Sequence, residues 1–122
     1  MSKILIINND DDTIYLLQQF LERNNFQADS VKTDEDVFEK ISEFSPHLIL
    51  LDVVESADGK LCEKLKSKDI SKSLPLIALT GHKKPNAAIE DCPVNETLPK
   101  PIQPGLLIQK IRQVLAASGV ME

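Results

Sequence analysis

Leu48-Ile49-Leu50-Leu51-Asp52 is apolar up to its last position, where a carboxylate closes it. A run this short and continuously apolar suits a strand buried on both faces of a parallel sheet. Three further runs follow the same rule. Ile4-Leu5-Ile6-Ile7 ends in Asn8-Asn9, Leu76-Ile77-Ala78-Leu79 in Thr80, and Thr97-Leu98-Pro99 in Lys100. Open parallel sheets bind ligands in the crevice at the carboxyl ends of their strands. The pattern therefore brings a carboxylate, a hydroxyl, an ammonium and two amides to one crevice.

Between these runs the spacing changes to that of helices. Ile14, Leu17, Phe20 and Leu21 share one helical face, as do Val37, Phe38, Ile41 and Phe44. Leu61, Cys62 and Leu65 mark a third helix, and Leu107, Ile108, Ile111, Val114 and Leu115 the last. Asp11 or Asp12 suits the start of the first helix, where a carboxylate meets unpaired N–H groups, and Asn24-Asn25 suits its end. Thr33 reads as the cap of the second helix and Pro46 as its stop. A weaker strand is expected at Gln27 to Val31. A short helix is expected at Asn86 to Asp91, in the least regular part of the chain. Pro104 fits the first turn of the last helix, and Gly119 its cap. The alternation predicts an α/β fold, a (βα)5 doubly wound parallel sheet of five strands. It is flavodoxin-like, with strand order 2-1-3-4-5 and right-handed crossovers.

At 122 residues the chain fits one domain, taken as residues 1–122, long enough to bury its own core. With 42% hydrophobic and 27% charged residues it has an ordinary globular composition. A net charge of −5 argues against direct contact with nucleic acid or an anionic membrane. No apolar stretch approaches the ~20 residues of a membrane span. Met1-Ser2-Lys3 leads straight into a strand-like run, which leaves no room for a signal peptide and points to the cytoplasm. Cys62 and Cys92 match no zinc or redox spacing and are expected as reduced, partly buried thiols, with a regulatory disulfide as the alternative.

Asp52 after a Leu-rich strand, Asp58-Gly59 beyond it, Ala78-Leu79-Thr80-Gly81 and Lys100-Pro101 are each weak signals alone. In this order and at these spacings the chain resembles a response regulator receiver domain from end to end, CheY-like in type. The resemblance implies a module of two-component or phosphorelay signalling. Asp52 would accept a phosphoryl group from a histidine kinase or a histidine phosphotransfer protein. Lys100 would set a positive charge against it, and Thr80 would donate a hydrogen bond to the phosphoryl group. Beyond phosphorylation and dephosphorylation of Asp52 the resemblance implies no enzyme. It also implies a cis Lys100-Pro101 bond, a peptide type in which cis costs little. Mg²⁺ would be held by Asp52, the backbone oxygen of Val54 and the end of the first strand.

That last position departs from the family. Receivers usually carry two adjacent acids where this chain has Asn8-Asn9. An amide oxygen ligates a hard cation without bringing charge, so Mg²⁺ binding at Asn9, and at Asn8 through water, is expected to be weakened. Asp10 either compensates as a ligand or caps the first helix. Thr97 stands where the family usually has an aromatic residue. The loop Val53 to Gly59 lacks the common proline and is one residue short. His82, two residues after Thr80, is expected as an exposed loop histidine, with reach into the crevice as the alternative, and His47 reads as structural or solvated.

The reading is a receiver domain that signals by protein–protein contact, as a monomer or weak dimer. A pseudo-receiver that works without phosphorylation is its first rival, favoured by Asn8-Asn9 and Thr97. A flavin mononucleotide binder on the same fold is disfavoured, because Asp10-Asp11-Asp12 would repel a phosphate where that ligand needs free N–H groups.

Overall fold

The computed structural model describes residues 1–32, 36–52, 60–80 and 94–119. Five parallel strands form one sheet: β1 (Lys3–Ile7), β2 (Gln27–Val31), β3 (Leu48–Asp52), β4 (Leu76–Thr80) and β5 (Glu96–Pro99). Their spatial order is β2-β1-β3-β4-β5, as the alternating pattern predicts. The helices are α1 (Asp11–Arg23), α2 (Val37–Phe44), α3 (Lys60–Ser67) and α4 (Pro104–Ala117). Thr33, Val54, Asp58-Gly59, Gly81, His82, Cys92 and the helix expected at residues 86–91 lie outside the described residues.

Side chains alternate across a strand, and the core divides accordingly. Ile4, Ile6, Leu48, Leu50, Ile77, Leu79 and Leu98 pack on one face with α1 and α4. Leu5, Ile7, Ile49, Leu51, Leu76 and Ala78 pack on the other with α2 and α3. β3 and β4 are buried along their whole length, which is why their sequences show no polar alternation. The apolar stripe expected on α4 is buried at all five of its positions.

Local chemistry sets the ends of the elements. Asn25 adopts a left-handed φ of 69° just past α1, and Gly119 one of 81° past α4. Ser45 turns the chain left-handed before Pro46. His47 accepts a hydrogen bond from the Lys3 N–H through Nδ1 at 2.9 Å, and its own N–H donates to the Lys3 carbonyl at 2.8 Å. This histidine is structural, tying the start of β1 to the start of β3.

Two expectations are corrected. Of the three acids read as caps of α1, Asp10 is the one that caps it, and not Asp11 or Asp12. Its backbone is extended, and its carboxylate accepts from the Thr13 N–H at 3.0 Å and from the Thr13 hydroxyl. Asp11 and Asp12 are already inside the first turn, and Asp11 pairs with Lys32. Cys62 is buried and disulfide-bonded rather than a free thiol.

The bonds from Thr13, its hydroxyl foremost, hold the Asp10 carboxyl below its ordinary value of 3.8. A depressed folded-state value means that the cap's contribution is present above 3.8 and is lost as pH falls through the lower folded value. The Thr13 amide proton resonance should therefore titrate with a midpoint below 3.8, and Asp10→Ala should abolish that transition.

Candidate functional site at the strand ends

The register of the sheet assembles the crevice. Ile7 lies opposite Leu51, so Asn8 and Asp52 follow side by side on adjacent strands. Both continue the alternation that faces α1 and α4. Lys100 follows Leu98 on that same parity. Its backbone N–H donates to the Thr80 carbonyl at 2.9 Å, and the Lys100-Pro101 bond is cis.

Asp52 is 1% exposed, and its Oδ2 takes two donors. The Lys100 ammonium reaches it at 2.5 Å and the Asn8 side-chain N–H at 2.9 Å. A buried carboxylate is costly unless it is paired and hydrogen-bonded. Here it is both. Lys100 keeps 28% of its side chain exposed, so water shares in its solvation.

Asn8 is itself buried at 2% exposure, and its orientation is fixed from both ends. Its Oδ1 accepts the Asp10 backbone N–H at 2.8 Å, which leaves Nδ2 to face Asp52. This donor role was not among those expected for Asn8. The sequence signal for it was only that an amide carries donors as well as an acceptor.

Thr80 is 1% exposed, and its hydroxyl donates to the Leu98 carbonyl at 3.4 Å. It follows Leu76 and Ala78 in parity, toward the α2 and α3 face, while Asp52 faces the other way. Three of the expected residues, Asn8, Asp52 and Lys100, therefore meet directly. Thr80 adjoins them through the backbone bond to Lys100. Asp10 is engaged with Thr13, and Asn9 is exposed beside the crevice.

A profile of the response regulator receiver domain matches residues 4–112. The chain belongs to the response regulator receiver domain family. It is 25% identical over 118 residues to the transcriptional regulatory protein ResD of Bacillus subtilis, covering 93% of this chain and 48% of that protein. It is 30% identical over 117 residues to the protein RcaC of Microchaete diplosiphon, covering 93% of this chain and 18% of that one. The chain thus spans about half, or less, of the curated relatives it matches. Among solved structures, a putative response regulator from Chloroflexus aurantiacus superposes with a TM-score of 0.85 at 24% identity, covering 94% of this chain and 98% of that one. A response regulator receiver modulated diguanylate cyclase from Pelobacter carbinolicus gives 0.84 at 27%, covering 98% and 96%. The chain is thus a receiver domain of two-component signalling. Among the described residues no helix is long and apolar enough to cross a membrane.

Receiver domains typically bind Mg²⁺. The donor chemistry here does not fit that ion as a set. Oδ2 of Asp52 carries an ammonium and an amide N–H, the oxygen of Asn8 is taken by a backbone N–H, and the Asp10 carboxylate caps α1. Among the described residues no three His, Cys, Asp or Glu side chains cluster as ligands.

Lys100→Met should leave the Asp52 charge buried without its cation and cost about 2–4 kcal/mol in urea unfolding. Adding Asp52→Asn should recover most of that loss. Equal and additive losses would mean that the two residues do not act as a pair.

Proposed function

We propose that this receiver domain accepts a phosphoryl group on Asp52 from a histidine kinase or histidine phosphotransfer protein and passes the signal on by protein–protein contact. One observation carries the reading. A single buried carboxylate at the end of a central strand is held by an ammonium and an amide N–H. In the transfer an oxygen of Asp52 attacks phosphorus, the bond from phosphorus to the donor imidazole nitrogen breaks, and an acyl phosphate forms. Lys100 balances charge at the carboxylate and then at the phosphoryl oxygens. The Asn8 N–H, already aimed at the carboxylate, is a second donor for those oxygens. The Thr80 hydroxyl becomes a third once it rotates from the Leu98 carbonyl.

This reading makes Asp52, Thr80 and Lys100 the reacting set and the whole chain, residues 1–122, one receiver module. It makes Mg²⁺ binding at Asp52, Asn9 and the Val54 carbonyl at least ~10-fold weaker than in receivers with two acids at the end of β1. It also makes the chain cytoplasmic, in contact with neither nucleic acid nor membrane. The hydrogen bond from Asn8 to Asp52 favours a second reading. A carboxylate satisfied by Asn8 and Lys100 has no electrostatic need of a cation, as a phosphorylation-independent pseudo-receiver would require.

Intact-mass spectrometry after incubation with acetyl phosphate separates the two. The proposal expects a species heavier by one phosphoryl group, absent in Asp52→Asn. No adduct with acetyl phosphate or with a phosphorylated histidine phosphotransfer protein would establish the second reading.

A further inference from the structure

The direction of one side-chain amide, that of Asn8, decides what the crevice presents to Asp52. An asparagine amide has two orientations that differ in which end faces a given partner. In the one observed, Nδ2 donates to Oδ2 of Asp52 at 2.9 Å and Oδ1 accepts from the Asp10 backbone N–H at 2.8 Å. Turned over, an oxygen would face a carboxylate and an N–H would face an N–H. Two contacts therefore hold the amide, one at each end.

They are not equal during phosphoryl transfer. When an oxygen of Asp52 attacks phosphorus, negative charge passes to the phosphoryl oxygens, and the Asn8 N–H exchanges one acceptor for another. Over that step the contact to Asp52 no longer fixes the amide. The contact to Asp10 takes no part in the reaction and persists. A donor already aimed at developing charge needs no reorganisation at the moment of reaction.

A backbone N–H points where its own residue is held, and Asp10 is held by Thr13. Asp10 is extended ahead of α1, with φ −97° and ψ 115°. Its Oδ2 accepts the Thr13 N–H at 3.0 Å and the Thr13 hydroxyl as well. The hydroxyl acts more strongly on the Asp10 carboxyl than the N–H does. An N–H without a partner stands at the start of any helix, whereas the hydroxyl belongs to threonine. Thr13, Asp10, Asn8 and Asp52 thus form one chain of hydrogen bonds. It runs from a half-buried position in the first turn of α1 to a carboxylate that is 1% exposed.

Given Asp52 as the phosphoryl acceptor, on which this rests, we infer that Thr13 is a positioning residue for the transfer. Its hydroxyl holds Asp10, the Asp10 N–H holds the Asn8 oxygen, and the Asn8 N–H stays aimed at Asp52 and then at the phosphoryl oxygens.

Two readouts on the whole chain test this: the initial rate of adduct formation with acetyl phosphate, by intact mass, and the ¹H–¹⁵N resonances of the Asn8 side-chain amide. Thr13→Val keeps the branched shape and the backbone N–H and removes only the hydroxyl. It should slow adduct formation ~3- to 10-fold, as the loss of one net hydrogen bond implies, and move the Asn8 resonances toward those of a free amide. Thr13→Ser returns the hydroxyl and should restore both. Asp10→Gly releases both bonds yet still starts a helix, and should be slower than Thr13→Val. Circular dichroism should show all three variants folded. If Thr13 served the helix cap alone, Thr13→Val would unfold at lower urea but keep the wild-type rate and Asn8 resonances, and that result would overturn the inference while leaving Asp52 as the acceptor. A Thr13→Ser chain no faster than Thr13→Val would also overturn it. A wild-type chain that forms no adduct would overturn it together with the role of Asp52.

Discussion

One carboxylate oxygen at the end of the central strand, Oδ2 of Asp52, accepts from an ammonium and an amide at once. The cost of burying that charge constrains everything around it. β3 must end at Asp52 with its side chain facing α1 and α4. β1 must end one position earlier, at Ile7 opposite Leu51, so that the next residue, Asn8, lies beside it. The chain past β5 must carry Lys100 across the end of β4. The bond from the Lys100 N–H to the Thr80 carbonyl meets that last need. A slip of one residue in β1 or in β5 would turn that strand's partner to the opposite face and leave the buried carboxylate without one of its two donors.

This arrangement also accounts for how Asn8 works. An acid at position 8 would set a second negative charge against Asp52, which then needs a cation between them. The amide of Asn8 turns repulsion into a hydrogen bond. Its direction is decided by the Asp10 N–H, which occupies its oxygen. The loop that caps α1 and the crevice are thus coupled: Asp10 accepts from Thr13 through its side chain and donates to Asn8 through its backbone. Moving the cap would free the Asn8 oxygen to face Asp52, where two acceptors would oppose each other.

The sheet was legible in the sequence because parallel strands buried on both faces leave long apolar runs, and each run ended where its strand ends. The convergence of Asn8, Asp52 and Lys100 followed from those ends alone. What was not legible depended on direction rather than position. Spacing places Asn8 at the crevice but does not say whether its oxygen or its N–H faces Asp52. Nor does it say that Thr80 falls on the opposite parity. Three consecutive acids offered three candidate caps, and only the extended backbone at Asp10 selects one.

The central claim is that Asn8 and Lys100, rather than a bound cation, hold the Asp52 carboxylate. A Mg²⁺ titration of the ¹⁵N-labelled chain, followed at the backbone amide of Asn9, tests it most directly, with Asn8→Asp as the comparison. The account predicts no saturable shift in the wild type at millimolar Mg²⁺ and a saturable one in Asn8→Asp, where a second carboxylate joins Asp52. Saturation of the wild type at submillimolar Mg²⁺ would contradict it, because Asn8 would then have to release Asp52 and turn its oxygen to the metal.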